Sequence, residues 1–137
     1  MTDAARTPRV LVEHADDTVR RSLAELLTAH GLEALACGGP RSLPDGVCPL
    51  VCGDVCGLAD TADVVFFDLD LGREAEAAVL DALRCTHPQL PIVLEVPTDT
   101  ALRHARRLDG CTVIPPFDPD RLVAAFVDAA SATARSS

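Results

Sequence analysis

The segment from Ala62 to Gly72 constrains the fold more than any other, because a short apolar run ends abruptly in two carboxylates and a glycine. A run of this length, rich in Val and Phe and flanked by polar residues, is typical of a strand buried on both faces of a parallel sheet. Asp68 then lies at the carboxyl end of a central strand. In open α/β sheets this edge is where ligands bind, so Asp68 is a candidate site residue.

Four more apolar runs flank this segment, and most are followed by a helical pattern, which predicts a (βα)5 alternation. The predicted strands cover residues 9–14, 32–37, 64–68, 91–96 and 111–114. The predicted helices cover residues 18–30, 74–85 and 98–108, with a last helix that begins at 118–120 and frays over residues 130–137. Connections of this length suit right-handed crossovers, so we predict a doubly wound parallel sheet.

The length of 137 residues predicts a single domain with a polar tail over residues 1–8. The formal net charge of -9 argues against binding to nucleic acid or an anionic membrane, because phosphate contacts need an electropositive surface. The chain has no apolar run of about 18 residues and no apolar signal-peptide segment. We therefore expect a cytoplasmic protein.

The stretch from residue 40 to residue 59 breaks the alternation, because its prolines and glycines are too dense for a helix of more than two turns. A cysteine-bearing loop therefore shortens or replaces the second crossover helix. Four cysteines fall close together in and just before this loop: Cys37, Cys48, Cys52 and Cys56.

Three interpretations of these cysteines remain open. Thiolates are preferred ligands of zinc and of iron–sulfur clusters, so the loop is a candidate metal site. A reversible disulfide is the second interpretation, with a pairing that the sequence does not determine. The third is that small cysteine side chains fill gaps in an alanine-rich core, as we expect for Cys85 and Cys111.

The order of these elements resembles the receiver (CheY-like) domain of bacterial response regulators over nearly the whole chain. The matching segments are Val10 to Val12 with Val19 to Leu23, Asp63 to Leu69, Leu90 to Val93, and Pro116-Phe117-Asp118-Pro119. The resemblance implies a flavodoxin-like fold whose five-stranded parallel sheet has the order 2-1-3-4-5. It also implies a two-component signalling domain, not an enzyme, with Asp68 at the phosphoacceptor position.

The chain departs from the receiver pattern at the positions that support phosphorylation. Receivers hold Mg²⁺ with carboxylates after strand 1, and they place a hydroxyl residue after strand 4 and a lysine after strand 5. The corresponding residues here are His14 with Ala15, Val96 and Pro115. The chain contains no lysine, so a phosphoryl group on Asp68 would lack its usual cation. Mg²⁺ binding and ordinary phosphorelay activity are therefore not expected.

A phosphoacceptor with rearranged Mg²⁺ ligands is an alternative. Glu13 or Asp16 would then replace the acidic pair, and Asp70 follows Asp68 by two residues. Asp68 and Asp70 are otherwise strand-end carboxylates that accept hydrogen bonds from amides of the next loop. For His14 the alternatives are a polar residue at the lip of the pocket, a partner for Asp68, or a metal ligand.

The resemblance also implies a protein partner or a homodimer, because receivers commonly pair through helix 4, strand 5 and helix 5. In this chain that face carries charges of both signs, which suit a self-complementary contact. The charged residues are Arg103, Arg106, Arg107, Asp118, Asp120 and Asp128. A solvated helix surface is the other interpretation of the arginines.

The leading hypothesis is a degenerate receiver-like domain that signals by protein contact. The alternative from a different class is a metal, iron–sulfur or redox sensor in which the cysteine loop carries the signal on the same scaffold.

Overall fold

The computed structural model describes residues 7–116 and 118–136, which form a parallel sheet with helices on both faces. Residues 1–6 of the predicted tail, Phe117 and Ser137 at the predicted frayed end lie outside these ranges. The strands are β1 (Arg9–Glu13), β2 (Glu33–Cys37), β3 (Val64–Phe67), β4 (Ile92–Glu95) and β5 (Thr112–Ile114). The helices are α1 (Asp17–Ala29), α2 (Gly57–Thr61), α3 (Glu74–Thr86), α4 (Thr98–Arg103) and α5 (Pro119–Ser136).

The sheet has the order β2-β1-β3-β4-β5, and every neighbouring pair is parallel. The predicted fold class and strand order are therefore confirmed. The register pairs Glu13 of β1 with Phe67 of β3, and Phe67 with Leu94 of β4. These three strands consequently end together, and the residues that follow them meet at one edge of the sheet.

The central strands separate two layers of core, because successive side chains of a strand point to opposite faces. On one face Leu11 and Phe67 pack against α3. On the other face Val12 and Phe66 pack against α5, where the rings of Phe66 and Phe126 meet edge to face with centroids 5.6 Å apart. The central strands are apolar along their length because both of their faces are covered.

Two helix ends differ from the prediction. α4 ends at Arg103 instead of continuing to Leu108, and turns follow it. In these turns the carbonyl oxygens of Arg107 and Asp109 accept hydrogen bonds from the guanidinium of Arg84, on α3. α5 extends to Ser136, which is beyond the point where the sequence predicts fraying.

The connection between β2 and β3 contains a 3-10 turn at Pro40–Ser42 and the five-residue helix α2, so the second crossover helix is short, as predicted. Cys111 is half-buried against the core, whereas Cys85 is exposed. The prediction that Cys85 fills a gap in the core is therefore wrong; this side chain lies on the solvent side of α3. Among the helices described, none is both long and apolar enough to cross a membrane.

Candidate functional site

The carboxyl ends of β1, β3 and β4 bring three polar side chains to one edge of the sheet, which we call the mouth. His14 follows β1, Asp68 follows β3, and Glu95 ends β4. The Asp68 backbone N–H donates to the Glu13 carbonyl oxygen at 2.8 Å, which extends the β1–β3 ladder by one residue. The backbone therefore fixes Asp68 opposite His14.

His14 faces Asp68 across the mouth, with its Nε2 3.4 Å from Asp68 Oδ2. Its other ring nitrogen, Nδ1, accepts a hydrogen bond from the Asp16 N–H at 3.0 Å. A neutral imidazole that accepts at Nδ1 carries its proton on Nε2. We therefore assign the proton of His14 to Nε2, which faces the Asp68 carboxyl. Burial, with the charges of Arg20 and Arg41, lowers the pKa of His14 despite nearby Asp16, which favours this neutral form.

The Asp68 carboxyl is difficult to ionise at this position. Burial raises the pKa of Asp68 from 3.8 to about 7, and the negative charge of Glu95 contributes to the shift. The Asp68 carboxyl therefore ionises less readily than that of a solvent-exposed aspartate. A protonated carboxyl is a poorer nucleophile and a poorer ligand for a hard cation than a carboxylate.

Two of the acidic candidates for a rearranged Mg²⁺ site serve local structure. Asp16 caps α1, because its Oδ1 accepts the N–H groups of the first turn at 2.8 and 3.2 Å. Asp70 accepts the Gly72 N–H at 2.8 Å and lies 3.7 Å from the Arg73 guanidinium. Both carboxylates are therefore already engaged in contacts close to them in the sequence.

Val96 and Pro115, which the receiver resemblance predicts at the hydroxyl and lysine positions, directly follow β4 and β5. The Val96 N–H donates to the Ile114 carbonyl at 3.2 Å and so continues the sheet. Neither side chain offers a hydrogen bond or a positive charge to a phosphoryl oxygen.

Two features of the mouth were not predicted from the sequence: Glu95, and the ion pair of Arg41 with Glu76 beside it. Arg41 contacts both carboxylate oxygens of Glu76, from Nε at 2.5 Å and from Nη2 at 3.1 Å, and Glu76 is 1% exposed. Glu76 Oε1 also accepts the Asp70 N–H at 2.8 Å, so this pair joins the cysteine loop to the β3–α3 turn. Glu95 could have been predicted as a site residue, because it stands at the end of an apolar strand as Asp68 does. The ion pair could not have been predicted from local sequence, because its partners lie 35 residues apart.

A second feature lies under the loop, on the Leu11 face of the sheet. We call it the cysteine cavity: a partly enclosed space of about 160 Å³ bounded by β1, the end of β2, the loop and α3. Cys37, Cys48 and Cys56 line it, whereas Cys52 is exposed and does not. The structure therefore brings three of the four predicted cysteines to one cavity.

These thiols are poorly suited to metal or redox chemistry in this state. Within residues 7–116 and 118–136, no three His, Cys, Asp or Glu side chains converge where they could hold a metal ion. Burial raises the pKa of Cys37 to about 12, with the Glu13 charge contributing, and burial also raises the pKa of Cys48. The thiolate is the form that binds metals and exchanges disulfides, and both thiols are protonated at neutral pH. All six cysteines are free.

The structure places Glu13 in the cysteine cavity and not among the acidic side chains of the mouth. Glu13 is 4% exposed, and its carboxyl forms a hydrogen bond with the Cys37 thiol. Its Oε1 has no hydrogen-bond partner among the described residues. Burial raises the pKa of Glu13 from 4.5 to about 7. Strand alternation explains the placement, because Glu13 follows Leu11 by two residues and shares its face.

The arginines of the predicted contact face differ in their engagement. Arg103 pairs with Asp99 within α4 at 3.4 Å, and Arg107 pairs with Asp81 of α3 at 3.1 Å. Arg106 forms no ion pair with any residue that the structure describes. The positive charge of α4 and of the turns that follow it is thus partly neutralised within the molecule.

An open groove of about 730 Å³ runs between the edge strand β5 and α5. Its floor is formed by small side chains of α5, including Ala124 and Ala125, and Arg121 and Asp128 also line it. Val113 of β5 is 40% exposed at its edge. Of the other acidic residues predicted on this face, Asp118 accepts the Arg121 N–H at 3.2 Å, and Asp120 lies in the exposed first turn of α5.

Comparison with solved structures identifies this architecture. A response-regulator receiver domain from Clostridium thermocellum matches with a TM-score of 0.70 and 17% identity, over 95% of this chain and 99% of that chain. A CheY-like receiver domain protein from Methanospirillum hungatei JF-1 matches with a TM-score of 0.68 and 12% identity, over 96% of this chain and 100% of that chain. The chain has the receiver fold.

A third match extends the receiver comparison to a longer protein. NtrX from Brucella abortus matches with a TM-score of 0.69 and 25% identity, over 96% of this chain but 28% of that chain. No protein-family model and no curated protein sequence matches the chain. The predicted resemblance to receiver domains is therefore confirmed at the level of the fold, at low sequence identity.

Proposed function

We propose that this chain is a receiver-like signal-transduction domain that acts by protein contact and without Mg²⁺-dependent phosphorylation of Asp68. The observation that carries the proposal is the environment of Asp68. The receiver resemblance assigns this residue to the phosphoacceptor position, yet burial raises its pKa to about 7 and it faces the imidazole of His14. The carboxylate of Glu95 adds negative charge. In this proposal the domain is not an enzyme.

Electrostatics supports the proposal further. A phosphoryl group adds close to two negative charges at neutral pH, and these would lie beside Glu95 in a half-buried site. His14 could supply one positive charge by protonation, but its lowered pKa opposes this. Receivers offset the charge with a divalent cation and a lysine, and this chain has no lysine. An aspartyl phosphate would therefore lack the interactions that stabilise it and that couple it to a conformational change.

Incubation with acetyl phosphate and Mg²⁺, followed by intact mass measurement, tests this proposal. The wild-type chain is expected to gain no mass, whereas phosphorylation would add about 80 Da. A variant with His14→Asp, Ala15→Asp, Val96→Thr and Pro115→Lys restores the receiver pattern, and we expect it to gain the adduct. An unrelated active receiver is the positive control for the reagent. A wild-type adduct that disappears in Asp68→Asn would contradict the proposal and favour the rearranged phosphoacceptor.

We further infer that a second copy of this chain is the partner of the groove between β5 and α5. Arg121 and Asp128 lie seven residues apart on α5, which is two helical turns, and both line the groove. A two-fold axis that sets the two α5 helices antiparallel would pair Arg121 of one copy with Asp128 of the other. The exposed side chains of Val113 and Val127 add apolar area to this contact.

Molar mass in solution, measured over a range of concentrations, tests the dimer. Arg121→Asp and Asp128→Arg are each expected to weaken self-association about tenfold, and the double variant is expected to restore it. Glu25→Arg is the matched control, because Glu25 is exposed on α1 and does not line the groove. A monomeric wild type, or single variants that behave like Glu25→Arg, would contradict the inferred interface.

A cysteine-based metal or redox sensor remains the alternative hypothesis. Cys37, Cys48 and Cys56 share a cavity, which favours it, but the raised pKa values of Cys37 and Cys48 oppose it. Elemental analysis and thiol titration of the purified protein distinguish this sensor from the proposed contact domain. Bound zinc or iron, or fewer than six free thiols under oxidising conditions, would favour the sensor over the contact domain.

A further inference from the structure

The cysteine loop carries a large share of the big apolar side chains that the structure leaves exposed. Six such side chains are exposed among the described residues, and three of them, Val47, Val51 and Val55, fall within nine residues of this loop. Val55 is 76% exposed, the largest value of the six. A single exposed apolar residue needs no explanation, whereas apolar side chains that gather in one place are a feature of interaction sites. We call Val47, Val51 and Val55 the valine surface.

The segment that carries the valine surface is anchored to the rest of the domain. The Cys48 carbonyl oxygen accepts the Val51 N–H at 3.1 Å. The Pro49 carbonyl oxygen accepts the Asp54 N–H at 2.9 Å, so two turns follow each other here. Within these turns Leu50 is 6% exposed and packs in the core, while its neighbour Val51 stays exposed. Because the segment is already ordered, a partner does not have to order it on binding.

The charge around the valine surface has a single sign. Residues 42–72 contain six aspartates and no arginine, lysine or histidine. Asp45 and Asp54 lie within the loop, are exposed, and form no ion pair with any residue that the structure describes. Each accepts the N–H of a valine of the surface, Val47 at 3.2 Å and Val55 at 2.8 Å, so both carboxylates lie beside the exposed apolar side chains. A complementary partner therefore brings positive charge together with apolar side chains.

Two other occupants fit the valine surface less well. Acidic charge repels the phosphate groups of nucleic acids and anionic lipids. A second copy of this chain could offer the exposed Leu102 of α4 with nearby Arg103 and Arg106. Such a contact joins two different surfaces, so it generates rings or filaments, and it brings together two chains of net charge -9. These considerations favour a separate protein as the occupant.

We propose that the valine surface docks a segment of another protein that combines apolar side chains with arginine or lysine. The proposal rests on the proposed function in one respect, namely that the domain acts by protein contact, and it adds a surface and a class of partner. The valine surface shares no residue with the mouth or with the groove between β5 and α5. Docking there therefore requires neither phosphorylation of Asp68 nor dimerisation through α5.

Titration of the full chain with a synthetic amphipathic peptide, which has leucine along one helical face and arginine along the other, tests the proposal. Backbone amide signals in nuclear magnetic resonance spectra are expected to shift saturably, with the largest shifts over residues 45–56. Two matched peptides have glutamate in place of arginine or serine in place of leucine, and we expect each to bind at least about tenfold more weakly. The absence of a saturable shift, shifts centred outside residues 45–56, or equal binding of the three peptides would overturn the proposal.

Variants of exposed residues separate the apolar contribution from the electrostatic one. Val51→Ser combined with Val55→Ser is expected to weaken binding of the leucine–arginine peptide about tenfold. Leu102→Ser is the matched control, because Leu102 is 73% exposed on α4, and it should leave binding unchanged. Asp45→Asn combined with Asp54→Asn removes two charges but keeps the oxygens that accept the valine N–H groups, so we expect a smaller salt dependence of binding. Loop variants that bind like the wild type would overturn the proposal.

The outcome for the valine surface can be told apart from the outcome for the proposed function. A phosphate adduct on Asp68 would contradict the proposed function, whereas peptide shifts over residues 45–56 in the same protein would still support the valine surface. A chain that gains no adduct and binds no peptide would overturn the valine surface alone. A change in molar mass caused by Val51→Ser with Val55→Ser would identify a second copy as the occupant and would also overturn the proposal.

Discussion

The mouth and the cysteine cavity each hold one carboxyl with a pKa near 7, but they expose it to different surroundings. Asp68 and Glu13 are joined by a backbone hydrogen bond of 2.8 Å, and burial raises the pKa of both to about 7. The Asp68 side chain is 27% exposed and faces His14, whereas Glu13 is 4% exposed and keeps an unpartnered oxygen.

The difference shows how one strand edge supplies two kinds of site. The mouth opens to solvent, so water and an imidazole can relieve the cost of a charge on Asp68. The loop covers Glu13, so among the described residues the Cys37 thiol is the group that relieves a charge on its carboxyl. We therefore expect the two carboxyls to respond differently to pH and to substitution.

The largest effect is expected for Glu13→Gln. A carboxyl whose pKa is raised by folding contributes stability that is fully present below its unfolded pKa, near 4.5, and that is lost as pH rises through about 7. This shift corresponds to about 3 kcal/mol of unfolding free energy. Urea unfolding across this pH window should therefore show a flatter pH profile for Glu13→Gln than for the wild type.

Glu25→Gln is the control for this prediction, because Glu25 is exposed on α1 and should leave the pH profile unchanged. The comparison uses the slope with pH and not the absolute stability, since an amide at position 13 also changes hydrogen bonding. Parallel profiles for wild type and Glu13→Gln would show that Glu13 is not the buried titrating group.

An effect of the same sign and of similar size is expected for Asp68→Asn, because the Asp68 side chain is 27% exposed and solvent screens its larger pKa shift. The pH window is set by the shift of the Asp68 pKa from 3.8 to about 7, so it begins at a lower pH than that of Glu13. The same urea series measures the change. A profile for Asp68→Asn that is as steep as that of the wild type would show that Asp68 does not titrate near pH 7.

The smallest effect is expected in the rates of thiol alkylation. Cys52 is exposed, whereas Cys37 lines the cavity and its pKa is raised to about 12. We expect native Cys37 to react at least about tenfold more slowly than Cys52, because the thiolate is the reactive form. Peptide mapping after timed alkylation measures both rates. Equal rates would mean that the loop leaves the cavity open most of the time.

Hydrophobic patterning predicted most of the fold correctly. Apolar runs such as Val64–Phe67 are buried on both faces, and the observed strands begin and end within one or two residues of the predicted positions. Prediction failed at the end of α4, where the chain leaves the helix at Arg103 and continues in turns that contact Arg84 of α3. A contact between distant elements of this kind leaves no local signal in the sequence.

The candidate site was predictable where it depends on strand ends. Asp68 and His14 follow apolar strands, and their meeting at one edge follows from parallel pairing. The burial of Glu13 could also have been predicted, because Glu13 shares the sheet face of Leu11. Its acidic side chain suggested instead that it belongs with the acidic residues of the mouth. The pair of Arg41 with Glu76 was not predictable, because an irregular loop brings its members together.

The most direct test of the central claim is the titration of the Asp68 side-chain carboxyl carbon by nuclear magnetic resonance, with and without Mg²⁺. We predict a midpoint near pH 7 in both conditions, because burial raises the pKa of Asp68 and the proposed function involves no Mg²⁺. A midpoint that falls clearly below this value when Mg²⁺ is added would show that the mouth binds the cation, and it would contradict the account of a domain that works without phosphorylation.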